Sequence, residues 1–235
     1  MDGEVTADQA KRILDMLTEG GAMDDINTPL ALRLIPLALE LEDEPLAERL
    51  LTHAKSNATD EIESGWAEFE HLKLTCASID ALSELTAQSE LLEGGGPLAA
   101  AVAHHVALLH MAEEAYEEAQ MFASRSLRIR EKVKDNNGIV YGLALLEALA
   151  KKQHNHETAL VHGSRRIELL MDMRDEEGQM EAMADMGHSQ ATLGQFDAAK
   201  DLYTQSLDHA FATELAHDIR CHSIGPVSCL AESRQ

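Results

Sequence analysis

Twelve histidines and three cysteines are the side chains of this sequence best suited to hold a metal or move a proton. They gather at three places: His104-His105, His154-x-His156, and Cys221-His222 followed by Cys229. A zinc site needs about four ligands converging in fixed geometry, commonly drawn from two paired spacings. The last group supplies three ligands and no second pair. Neighbouring residues on a helix point about 100° apart, so His104 and His105 cannot share one ion. His154 and His156 read as turn residues. No metal site is expected, and a histidine-dependent metal enzyme is the remote alternative. Other catalytic patterns are missing too: there is no G-x-S-x-G elbow, no phosphate-cradling loop and no H-E-x-x-H. Gly94-Gly95-Gly96 is followed by Pro97 where a phosphate loop needs Lys-Ser. The sequence therefore predicts no catalytic residue, no cofactor and no enzyme activity.

What the chain repeats is architecture. Ala47, Ala81, Ala119, Ala159 and Ala199 stand where second helices should begin, at spacings of 34, 38, 40 and 40 residues. That period marks stacked helical hairpins. A hairpin of this size cannot bury its apolar face alone, so neighbours must pack. Apolar residues make up 45% and aromatics 3% of the chain. Ala, Leu, Glu and Met dominate, all good helix formers, and no run alternates as a strand would. The predicted class is all-α.

Capping signals place about twelve helices. Thr6 with Gln9 forms a capping box, and Gly20-Gly21 stops that helix after Leu17. Thr28-Pro29 starts the next, with a kink expected at Pro36, and Pro45 opens the one after. Further helices are predicted over 60–74, 79–92, 97–112, 115–134, 139–153, 156–174, 178–192 and 196–213, with Gly138 and Gly178 as junctions. The predicted organisation is one array over 1–235. It comprises an N-terminal helix (1–27), two degenerate hairpins (28–96), three 40-residue repeats (97–213) and a C-terminal cap or tail (214–235), with Gly94–Gly96 as candidate hinge. In the tail, Ile219, Ile224, Val227 and Leu230 offer apolar surface. It would either fold over the last repeat or support self-association through this C-terminal helix.

The last copy runs Met183, Met186-Gly187, Gln190, Gly194, Phe196, Ala199, Tyr203 and Ser206. This resembles the tetratricopeptide repeat, with small residues at helix crossings and aromatics between hairpins. Stepping back by 40 gives Leu143, Leu146, His154, His156, Ala159 and Ile167, then Ala103, Val106, Glu114, Tyr116, Ala119 and Leu127. The 40-residue variety is similar to repeats of kinesin light chains and bacterial signal-transduction activators. The match is strong over 97–218 and weak over 29–93. The resemblance implies a right-handed α-solenoid of stacked antiparallel hairpins whose first helices line a concave wall. Carried over, the wall residues are His104, Leu108, Met111, Tyr141, Lys151, Lys152, Glu181 and His188, with alanines between them. Such a wall suits a peptide or amphipathic helix of another protein, acidic at one end. The family's carboxylate clamp is absent, because His105, Leu145 and Asp185 stand at its positions. The middle copy also departs at His154, His156 and Gly163 and is expected to pack least tightly.

Nineteen Lys and Arg against 42 Asp and Glu give a formal charge of −23. This excludes a basic footprint for nucleic acid and disfavours an anionic membrane surface. A basic island nevertheless runs from Arg125 to Arg166, with nine basic residues against four acidic. The odd cysteine count implies reduced thiols. No signal-peptide pattern opens the chain and no stretch is apolar enough to span a membrane, so a cytoplasmic protein is expected. Taken together, the residues predict a non-catalytic interaction scaffold or adaptor. The alternative is a regulatory or sensor module whose array curvature changes on ligand binding.

Overall fold

A computed structural model describes residues 6–212 of the chain. Within them lie eleven helices and no strand: α1 Ala7–Thr18, α2 Thr28–Glu40, α3 Glu44–Asn57, α4 Glu61–Leu74, α5 Ile79–Leu91, α6 Gly96–Ala112, α7 Tyr116–Val133, α8 Asn136–Lys152, α9 His156–Met173, α10 Glu176–Thr192 and α11 Phe196–Ala212. The Thr6–Gln9 capping box forms as expected. Helix α2 runs on through Pro36, which lies on its exposed side. The predicted C-terminal tail, with Cys221, His222 and Cys229, lies outside the described residues.

The five turns that lead into α3, α5, α7, α9 and α11 share one geometry. Glu42, Cys76, Glu114, His154 and Gly194 all take positive φ, between 48° and 74°. The residue after each donates its N–H to the carbonyl five positions back, as Asp43 does to Ala38 and Asn155 to Ala150. These are Schellman closures, which satisfy carbonyls that the helix end would leave bare. Four of the five place a non-glycine residue in the left-handed region. The next residue often caps the following helix: Asp43 accepts from Leu46 N–H and Asn155 from Thr158 N–H. The left-handed residues recur at the same spacings as the five alanines, so turn and alanine belong to one motif.

Four of those alanines, Ala47, Ala119, Ala159 and Ala199, are fully buried at the fourth residue of their helices. Ala81 is different. The turn before α5 carries one extra residue, because Cys76 is followed by Ala77 and Ser78 before the helix begins. One residue rotates a helix by about 100°. Leu82 therefore takes the fourth position and is 1% exposed, while Ala81 is half-buried.

The chain forms two compact units divided between Val102 and Ala103, inside α6. The first unit has a continuous apolar core built from Leu14 and Leu17 of α1, Leu34 and Ile35 of α2, and Leu46 and Leu50 of α3. Arg49 donates to the Leu17 carbonyl at 3.1 Å and the His53 ring meets the Ile26 carbonyl at 2.7 Å, which ties α1 and its loop to α3. The second unit is cored by Leu143, Leu146, Leu149, Leu170, Met183 and Tyr203. Tyr203 rests on the bare Cα of Gly187, where a Cβ would come within 2.9 Å of its ring.

Gly138 and Gly178 are not junctions. Each is the third residue of its helix, α8 or α10, and donates its N–H to the capping Asp135 or Asp175 at 2.9 Å. A Cβ at either position would collide with the capping carboxylate. The helices consequently begin two to three residues earlier than the sequence predicts.

Candidate functional site

In the second unit, α8 and α10 are the first helices of consecutive hairpins, and α9 lies behind them. They enclose a cleft of about 240 Å³. Tyr141 and Asn137 of α8 form one side, Glu177 and Glu181 of α10 the other. Arg166, Leu170 and Met173 of α9 reach it from behind, with Val140 and Ala144. Tyr141 is 66% exposed, an unusual exposure for a large aromatic in a chain with so few of them. Asp175, the cap of α10, stands at the same mouth.

A buried ion network supports the cleft. Glu147 of α8 is 1% exposed and Arg166 of α9 is 5% exposed. Arg166 Nη1 donates to Glu147 Oε2 at 3.2 Å and to Asp185 Oδ2 at 3.1 Å. Lys151 Nζ lies 2.9 Å from Glu147 Oε1 and 2.8 Å from Asp185 Oδ1. Two cations and two carboxylates thus link three helices with no net charge. Burial pushes the Glu147 carboxyl above its ordinary value despite the Lys151 ammonium beside it. Burial pushes Asp185 the same way, but the hydrogen bonds and charges of Lys151 and Arg166 outweigh it and hold that carboxyl below its ordinary value. Glu181 is held more loosely, 3.8 Å from Arg166 Nη2.

The residues predicted for the wall separate in space and in state. Tyr141 and Glu181 line the cleft. Lys151, near the end of α8, is in the network, and its ammonium is already matched by Glu147 and Asp185. Lys152 and His188 are exposed farther along the same two helices. The His188 ring meets the edge of buried His156, centroids 6.4 Å apart. On α6, Leu108 is 37% exposed and Met111 half-buried. His104 is half-buried and uncharged at neutral pH, its pKa lowered to about 4 by burial, then by Arg130 and His105.

Four of the nine basic residues of the island are already engaged within the fold. Arg130 is buried and donates to the Gly138 carbonyl at 2.6 Å. Arg165 pairs with Glu131, and Arg166 and Lys151 are neutralised. Among the described residues, no group of three or more His, Cys, Asp or Glu is placed to hold a metal ion, and no helix is long and apolar enough to cross a membrane.

The sequence reading missed Arg166, Glu147 and Glu177. A signal for the first two was there. Arg166 stands 40 residues from Ser126 and Ser206, and Glu147 stands 40 from Ala107 and Gly187, all of them buried. Opposite charges at two small-residue positions of one copy are a compensated pair. Gly163, where the next copy has Tyr203, makes room for it: its Cα faces the Glu147 carboxyl and the Met186 side chain. The middle copy has exchanged an aromatic for a buried ion pair.

No protein-family model and no curated protein matches the sequence. Solved structures do match. The apo form of RapI aligns over 96% of this chain at TM-score 0.69 and 14% identity. A signal-transduction ATPase with a tetratricopeptide repeat sensor, from Pyrococcus horikoshii, aligns over 97% at 0.68 and 16%. A Rap protein complexed with competence and sporulation factor aligns over 96% at 0.60 and 16%. The fold is a tetratricopeptide-type helical repeat. The chain spans 66% and 65% of the two Rap chains and 35% of the ATPase. In a tetratricopeptide-type hairpin the first helices stand side by side, which is why α8 and α10 flank one cleft although 40 residues separate Tyr141 from Glu181.

Proposed function

We propose that the chain is a non-catalytic binding module that takes an extended peptide or a helix of another protein along the face made by α8 and α10. The observation that carries this reading is the cleft with an exposed Tyr141 on one side, apolar residues behind and a buried ion network beneath. Its 240 Å³ is smaller than the roughly 300–1,000 Å³ of pockets that enclose drug-sized ligands. A cavity of that size fits one anchoring side chain of a longer partner. The likeness to a Rap protein complexed with competence and sporulation factor, and to a tetratricopeptide repeat sensor, supports a binding role. A sensor role is the second reading, favoured by one contact. Glu181 lies at the cleft and also 3.8 Å from Arg166, so a ligand that draws Glu181 away changes the partners of a residue joining three helices.

Panning a random peptide library against the wild-type chain and against Tyr141→Ala tests the binding reading. Peptides enriched on the wild type should lose at least about tenfold in affinity for Tyr141→Ala, the scale of a buried aromatic anchor. Peptides that bind both proteins equally would place recognition elsewhere.

A further inference from the structure

We infer that the cleft between α8 and α10 selects a basic side chain of the partner, arginine ahead of lysine; this rests on the binding reading above and specifies its chemistry. The sequence pointed to an acidic ligand because Lys151 and a basic island lie near the wall. The structure matches the two cations at the cleft itself: Lys151 and Arg166 face Glu147 and Asp185, two against two. What remains at the mouth is negative. Glu177 and Glu181 are exposed one turn apart on α10, and Glu177 pairs with no cation among the described residues. Asp175 adds a third carboxylate.

Two further observations point to a cation on an apolar stem rather than a free ion. Tyr141 presents its ring across from the carboxylates, and an arginine guanidinium stacks well on such a face. Behind the mouth, half-buried Val140 and Met173 offer apolar surface to a methylene chain, which long basic side chains cover readily. The chain's formal charge of −23 adds a long-range attraction of the same sign.

The test uses three short probes, acetyl-Leu-Arg-Leu-amide and its citrulline and glutamate counterparts, titrated into the isotope-labelled full chain and followed by NMR. Citrulline keeps the shape of arginine and removes its charge. The arginine probe should shift the amides of Tyr141, Gly178 and Glu181 with a Kd of about 1 mM, and citrulline should bind about tenfold more weakly, the scale of one charge-assisted hydrogen bond. In Glu177→Gln/Glu181→Gln, whose exposed substitutions leave the fold intact by circular dichroism, the two probes should become equal. Equal binding of arginine and citrulline to the wild-type cleft would overturn the charge selection while leaving the cleft as a peptide site. Preference for the glutamate probe, or no shift at these amides, would overturn the inference as well.

Discussion

Replacing Arg166 with methionine removes the guanidinium from Glu147 and Asp185 together. Asp185, with its side chain 47% exposed, can turn to water, and Lys151 stays 2.8 Å away. Glu147 has no such escape: it is 1% exposed and keeps Lys151 alone at 2.9 Å. Breaking a buried ion pair from one side costs about 3–5 kcal/mol, and the remaining lysine puts this case near the lower end, about 3 kcal/mol. The sign of its pH dependence follows from the carboxyl left behind. Burial raises the folded pKa of Glu147 above its unfolded value. Such a group stabilises the fold fully below the unfolded pKa and loses that contribution as pH rises through the folded one. The penalty of Arg166→Met should therefore shrink as pH falls toward the ordinary carboxyl range. Asp185 works oppositely, contributing stability above its ordinary value that is lost as pH falls through its lowered pKa. Urea unfolding followed by far-UV circular dichroism at pH 7 and pH 5 measures the Glu147 effect, since both values lie above the range in which Asp185 titrates. Glu147→Met added to Arg166→Met should restore stability to within about 1 kcal/mol of wild type, since an apolar pair replaces an ionic one. A single-mutant cost below about 0.5 kcal/mol, or a double mutant no better than the single, would refute a coupled buried network.

Three other outcomes are expected. Ala199→Leu should cost about 1–3 kcal/mol by overpacking a fully buried position, whereas Lys200→Leu, on the exposed side of α11, should change stability by less than about 0.5 kcal/mol in the same urea titration. His154→Gly should raise the unfolding free energy by up to about 1 kcal/mol, because φ of 58° strains a residue with a Cβ. Stability should fall as pH drops from 6.5 toward 4, because His104 is held uncharged with a folded pKa below its unfolded one; His104→Gln should flatten that slope in a pH series of thermal melts.

The helices were legible because their ends are written locally, in Thr6, Asn27, Asp60 and Ser78, whose side chains cap them. Gly138 and Gly178 misled because periodic glycine reads as a stop, whereas here it clears space for a capping aspartate. Ala81 misled because a one-residue insertion in a turn rotates the helix after it, and composition does not record rotation. At the cleft, Tyr141 and Glu181 followed from repeat register alone. The charge of the site did not follow, since Lys151 is neutralised by Asp185, 34 residues away, and by Glu147 at a position that register assigns to a small residue. Net local charge was readable in the sequence; which charges cancel was not.

Photo-crosslinking from the cleft examines the binding face most directly. A benzophenone side chain placed at Tyr141, and separately at Val161 on the exposed side of α9, is irradiated with a library-selected peptide bound. Adducts should form from position 141, map to the peptide's basic residue or its neighbours, and be absent from position 161. Adducts from 161 with none from 141 would contradict recognition by the face of α8 and α10.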